Sequence, residues 1–252
     1  EENFYFKKSY RKAKKKSIGQ NNICYICNSK SNLTYGYVST FKFYNLDKKG
    51  FTSGGFNRGE SWKNYPVCPD CALMLDQGRK YLEKNLSTSF CGLNYFIIPK
   101  TIFASKGEGR EFMFKALEKI EEEKFSLKEK TTTKLTQTED DLFNIMKDFE
   151  NYINFNLMFY RQENSAFRIL LYIEDVLPSY LKQIFSVKKF VEEKELFKDL
   201  PGTKNSYYDM KFTFNLLTSF FPIDESSKYF LEIFNDIKKK KKVSYNLLIS
   251  KV

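Results

Sequence analysis

Four of the five cysteines stand in two pairs, Cys24-Tyr-Ile-Cys27 and Cys68-Pro-Asp-Cys71. Two cysteines three apart fit a tight knuckle whose thiolates converge on one ion. Two such pairs complete tetrahedral sulfur coordination, which favours Zn2+ over Mg2+ or Ca2+. Four thiolates close the site and leave no open position for a substrate. The chemistry implied is therefore structural: the ion ties distant segments together with a binding free energy on the order of 10 kcal/mol at neutral pH. Disulfides are the competing use of these residues, and no secretory leader of basic, apolar and small-residue segments argues for them. An iron–sulfur cluster fits the same ligands but suits a purely structural role less well. Cys91 has no partner in this pattern and reads as a buried apolar residue.

The chain has no histidine, which excludes Ser-His-Asp and Cys-His catalysis, His-ligated metals and imidazole acid–base work. A metal-dependent nuclease needs carboxylates and a lysine around a divalent ion. Asp70 with Glu122, Glu123 and Lys124 is the nearest fragment of such a set, but Asp70 lies inside the second cysteine pair and Glu122 in a polar stretch. Glu174-Asp175 precedes a helical pattern, where capping is the simpler role. The expectation is that the chain is not an enzyme.

Several elements must position the cysteines. Forty residues separate Cys27 from Cys68. Within them Leu33–Tyr44 is aromatic and β-branched and predicts a strand. Asn45–Gly59 is glycine-rich and predicts a loop. Leu75, Leu82 and Leu86 predict a helix opening near the second pair. Knuckle, hairpin and helix N-terminus together resemble a treble-clef finger. Beyond it, Tyr95–Ile98 predicts a short strand, and Phe112, Ala116, Leu117 and Ile120 an amphipathic helix. Residues 121–141 are charged and Thr-rich and predict a polar insertion. Leu142 to Ile153 gives another helical stripe. Phe155–Tyr160 and Phe167–Ile173, separated by Gln162–Ser165, predict a hairpin. After Pro178 the pattern is helical, with Phe230, Leu231, Phe234 and Ile237 forming a stripe that ends in a lysine run. The fold class expected is α+β: a treble-clef-like zinc finger of four cysteines with a hairpin, a small antiparallel sheet and a helical C-terminal part. The regions are a basic arm over 1–20, the zinc-finger region 21–92, an α+β region 93–204 with its insertion, and a helical region 205–252.

About 42% of the 252 residues are apolar, enough for a real core, and no apolar run approaches a membrane span. The net charge of +11 is concentrated at the two ends: residues 1–20 carry a net +5 and residues 237–252 a net +6. Two basic clusters on a neutral body suit contact with a polyanion. The candidates are Lys12, Lys14, Lys15 and Lys16 in the arm and Lys239, Lys240 and Lys241 near the C-terminus. Lys48, Lys49, Arg58 and Lys63 add a third group in or beside the glycine-rich loop, where backbone can approach a phosphate. Tyr44, Phe51, Phe56 and Trp62 beside them are candidates for stacking on a base. Richness in Lys, Asn, Phe and Tyr is also what an AT-rich genome produces, so the aromatic excess alone carries little weight.

One family shares this order of motifs. The first Cys-x-x-Cys, Phe41-Lys-Phe-Tyr-Asn-Leu-Asp-Lys-Lys-Gly-Phe51, Lys63-Asn-Tyr-Pro-Val-Cys-Pro-Asp-Cys71, Gly78 and Tyr95-Phe-Ile-Ile-Pro99 resemble the large subunit of the type I-B CRISPR Cascade surveillance complex, the subtype-b large-subunit family. The resemblance continues through Asn156–Tyr160, Phe167–Pro178 and Phe212–Phe221. Family members are longer, and the match is to their middle and C-terminal portion. What the resemblance implies is a non-catalytic, cytoplasmic, prokaryotic subunit in a ribonucleoprotein with guide RNA and other Cascade subunits. It would assist recognition of target DNA and its flanking motif, and help recruit a separate helicase-nuclease. Base pairing would choose the sequence. The alternative is a free-standing zinc-finger nucleic-acid-binding protein, which needs neither guide RNA nor partner subunits.

Overall fold

The computed structural model describes residues 17–36, 38, 40–41, 50, 52, 56–90, 93–102, 108–130, 146, 152–163, 166–195, 221 and 226–249, without the side chains of 90, 108, 123–130, 226–227, 238 and 247. These residues fall into two compact units, one holding those up to Lys84 with Gln162–Arg168, the other holding Asn85–Arg161 and those from Ile169 onward.

In the first unit, β1 (Ile18–Ile23) and β2 (Lys30–Tyr35) pair antiparallel, from Ile18 opposite Tyr35 to Ile23 opposite Lys30. Residues 18–20, which the sequence places in a basic arm, are thus strand. The knuckle of the first cysteine pair lies in the turn of this hairpin, between β1 and β2, rather than ahead of a hairpin. Within the strand predicted over Leu33–Tyr44, β2 ends at Tyr35 and Gly36 bends the chain; residues 37, 39 and 42–44 lie outside the described set. Gly36 is there because nothing larger fits. A Cβ on it would stand 2.2 Å from the Trp62 backbone. Trp62 sits in a 3₁₀ turn, Arg58–Lys63, held by its N–H donating to Ser17 Oγ at 2.7 Å, while Ser17 Oγ donates to Gly59 O at 2.8 Å. Backbone cannot retreat as a flexible side chain can. Gly36→Ala is therefore expected to destabilise this unit by about 1–3 kcal/mol or more. Denaturant midpoints of the two proteins check it, and an unchanged midpoint would contradict this packing.

Helix α1 (Pro69–Tyr81) opens with Cys68 as N-cap and Pro69 in the first turn, where a missing N–H costs nothing. It runs into a π turn, Leu82–Leu86. Tyr35 and Val67 exchange backbone hydrogen bonds of 2.8 and 3.1 Å, fastening β2 to the residue just before Cys68.

A four-stranded sheet has the order β3 (Ser87–Phe90), β4 (Leu93–Thr101), β5 (Ile153–Glu163) and β6 (Ala166–Val176), and all but residues 162–163 and 166–168 of it belong to the second unit. β3–β4 and β4–β5 are antiparallel. The predicted strands 95–98, 155–160 and 167–173 are the centres of β4, β5 and β6. Pro99 lies beyond the reach of β3, which ends opposite Phe96, so its lack of an N–H is tolerated. β5 is buried along Ile153–Tyr160, as a central strand covered on both faces must be. On one face Phe159 stacks on Tyr95 at 5.1 Å and meets Phe230 and Phe234 edge-on at 6.4 and 5.6 Å. Those two rings belong to α4 (Ser226–Lys238), the apolar stripe expected from sequence.

Helix α2 (Glu108–Lys130) buries Ala116 and Ile120. It continues through 121–130, where the sequence predicts a polar insertion; Glu, Lys and Leu are good helix formers, and propensity extends the helix past its apolar face. Residues 131–141, and all of the predicted 142–153 helix except buried, helical Met146 and the last two residues, lie outside the described set. Ile153 opens β5. α3 (Pro178–Glu192) and α5 (Tyr245–Ile249) complete the described helices. α3 is capped by Leu177 with no side-chain bond. Asp175 is therefore not the helix cap that the sequence suggests. It sits in β6 at a φ of 56° and accepts hydrogen bonds from Lys100 Nζ at 3.0 Å and from Asn154 Nδ2, while its own N–H donates to Asn156 Oδ1 at 2.9 Å.

Candidate metal centre

The hairpin turn delivers Cys24 and Cys27, and the start of α1 delivers Cys68 and Cys71. Asn28 takes a left-handed φ of 57°, and its N–H donates to Cys24 O at 2.9 Å, which closes the knuckle. The Cys24 N–H donates to Ser29 O at 3.0 Å and the Tyr25 N–H to Pro66 O at 2.8 Å, docking the turn beside the second pair. All four sulfurs lie within 4.8 Å of one another, with Cys27 Sγ and Cys68 Sγ 4.0 Å apart. They are free thiols. A disulfide needs about 2.05 Å between sulfurs, whereas tetrahedral coordination with metal–sulfur bonds of about 2.3 Å places sulfurs about 3.8 Å apart. The donor set and its spacing thus fit a metal ion. Among the described residues these cysteines form the only cluster of metal-ligating side chains.

The thiols are electrically unequal. Burial pushes Cys24 up, but the N–H groups of Cys68, Cys27 and Ile26 outweigh it and bring its pKa from 9.0 down to about 6. The Cys68 N–H donates directly to Cys24 Sγ at 3.3 Å. Cys27, the exposed member, is lowered by the backbone and hydroxyl of Ser29. Burial raises Cys68 and raises Cys71 strongly, the neighbouring thiols adding to the rise at Cys71. The pocket therefore holds thiolate readily at one pair and resists it at the other. A cation supplies the missing compensation and displaces the protons. Cys68 and Cys71, whose thiols are raised by burial, must give up their protons to ligate, so protons compete with the ion and metal retention should fall as pH falls. Chelator competition at pH 8, 7 and 6 tests this sign, and retention that does not change with pH would contradict it.

The basic candidates divide. Lys12, Lys14, Lys15, Lys16, Lys48 and Lys49 lie outside the described residues, as do Cys91, Tyr44 and Phe51. Arg58 and Lys63 are exposed on the 3₁₀ turn, and Lys63 Nζ pairs with Glu60 Oε2 at 2.7 Å. Phe56 is exposed, at a φ of 64°. Trp62 is half-buried: its ring packs 2.7 Å from where a Cβ on Gly19 would stand, and Lys63 Nζ lies 5.6 Å from the ring centre. Lys239, Lys240 and Lys241 are exposed just beyond α4, where Lys240 and Lys241 N–H groups donate to Ile237 O and Asp236 O and end the helix with Lys240 at a φ of 55°. Of the nuclease candidates, Asp70 lies in the first turn of α1 and Glu122 is an exposed residue of α2. The sheet-face polar network around Asp175 escapes sequence reasoning, because its members come from three strands and share no local motif. No helix among the described residues is long and apolar enough to cross a membrane.

Residues 21–176 match the family model for the central domain of the CRISPR-associated protein TM1802 (cas_TM1802). No curated protein matches the chain, and no solved structure does.

Proposed function

The chain belongs to the CRISPR-associated TM1802 family, and from that premise we propose that it is the middle and C-terminal part of the non-catalytic large subunit of a type I-B surveillance ribonucleoprotein. In this reading it acts in prokaryotic cytoplasm, beside guide RNA and other Cascade subunits. It assists recognition of target DNA and its flanking motif and helps recruit a helicase-nuclease in trans. The observation that supports the reading is the family match over residues 21–176, which includes all four cysteines and the sheet that follows them.

Zn2+ is the ion that four thiolates at this spacing suit best, bound by Cys24, Cys27, Cys68 and Cys71. Its contribution is structural, locking the β1–β2 turn to the start of α1. Lys12, Lys14, Lys15, Lys16, Lys48, Lys49, Arg58 and Lys63 are proposed as phosphate contacts that position nucleic acid without reading its sequence. The charge at Lys239–Lys241 invites the same role, but a neighbouring groove favours another occupant.

Native purification of the gene product from its own cells tests this, with mass spectrometry of the proteins and sequencing of bound RNA. Short RNAs of uniform repeat-plus-spacer structure, accompanied by several other subunits, are expected. A lone protein with mixed nucleic acid would overturn the assembly reading in favour of a free-standing zinc-finger binder.

A further inference from the structure

Helices α3, α4 and α5 enclose an apolar groove of about 520 Å³ within the second unit. Ile184, Val187 and Val191 line it from α3, Ile233 and Ile237 from α4, and Leu248 from α5. The groove is open to solvent: Val187 in its lining is 56% exposed, and Phe190 on α3 and Ile249 on α5 are further exposed apolar residues of the same helices, at 59% and 55%. An open apolar groove between helices is the kind of site that takes the apolar face of another helix. Among the described residues, the charged side chains that line the groove are all basic: Lys188, which pairs with Glu192 at 3.8 Å, and Lys240 and Lys241, with Lys239 and Lys242 exposed beside them. Tyr180 fixes this lip: its hydroxyl donates to Ile237 O, and Lys240 Nζ stands 5.1 Å from its ring centre.

We propose that this groove is a docking site for an acidic amphipathic helix of a partner protein. The partner's apolar stripe would fill the channel, and its Asp or Glu flank would face Lys239–Lys242. A nucleic-acid backbone answers the lysines but leaves the apolar channel unfilled, whereas an acidic amphipathic helix answers both. The inference rests on the groove and its charge, and it stands whether or not the four cysteines hold zinc.

The test uses the 252-residue chain and a fluorescent synthetic helix with Leu at i, i+3, i+4 and i+7 and Glu elsewhere, beside a scrambled peptide of equal composition. Anisotropy should show binding of the patterned peptide alone, weakening with added salt. Val187→Asp, at a position 56% exposed, should weaken it at least roughly tenfold, as should Lys240→Glu with Lys241→Glu, because a charge set into an apolar contact or reversed against its partner costs about 1.4 kcal/mol or more at an interface. Circular dichroism confirms that both variants fold. Equal binding of the scrambled peptide, or indifference to Val187→Asp, would overturn the proposal. So would displacement of the peptide by DNA, which would assign the lysines to nucleic acid. Self-association lost in Val187→Asp without peptide binding would overturn it too, assigning the groove to a second copy of the chain.

Discussion

Cys68→Ser is expected to empty the four-cysteine cluster and unfold the first unit. Among the described residues, one buried cluster of that unit holds Cys24, Tyr35, Val38, Val67, Cys68, Cys71 and Ala72, with Leu33, Tyr65 and Leu75 packed against it. Three of these seven are cysteines, so loss of the ion strikes the centre of the cluster. Cys68 has three structural attachments. It caps α1, its N–H donates to Cys24 Sγ, and the residue before it bridges to Tyr35. Loss of a bound zinc removes on the order of 10 kcal/mol, which is comparable to the whole stability of a domain, about 5–15 kcal/mol. Hydrogen exchange should show amide protection lost over 18–35 and 67–81 and kept over 93–101 and 153–161. Unchanged protection and metal content in the variant would refute the structural role.

Phe159→Ala should produce the largest loss in the second unit, about 3–5 kcal/mol, the usual cost of removing a fully buried aromatic ring. Phe159 is 0% exposed and touches Tyr95 across the sheet and both Phe230 and Phe234 on α4. Its removal opens a cavity where strand and helix meet, and the sheet backbone cannot collapse into it. Substitution of Ile169, 45% exposed on β6, is the matched comparison and should cost far less. Thermal or denaturant unfolding followed by far-UV circular dichroism measures both. A Phe159→Ala protein as stable as the Ile169→Ala protein would contradict the packing described.

Residues that carry a strong local rule are legible from the chain alone. The cysteine pairs declare themselves by spacing. β5 and β6 declare themselves as two apolar runs around a short polar break, and α4 by its Phe230, Phe234 and Ile237 stripe. β1 is invisible because Ile18–Ile23 reads Ile-Gly-Gln-Asn-Asn-Ile, with no alternation and little β propensity. It is a strand because the knuckle that follows turns it back onto β2. The second half of α2 reads as a loop when charge is weighed above helix propensity. Trp62 reads as a stacking surface because its neighbours are basic, and the packing role it also has, against Gly19 and Gly36, shows only in the fold. For β1 and Trp62, a contact from a distant part of the chain overrides the local pattern.

Native mass spectrometry of the purified chain tests the metal centre most directly. One zinc ion per chain is expected, lost on treatment with a strong chelator and absent from the Cys27→Ser and Cys68→Ser proteins. A chain with the mass of its free thiols or of two disulfides, and with the hairpin of β1 and β2 still protected from exchange, would contradict the account.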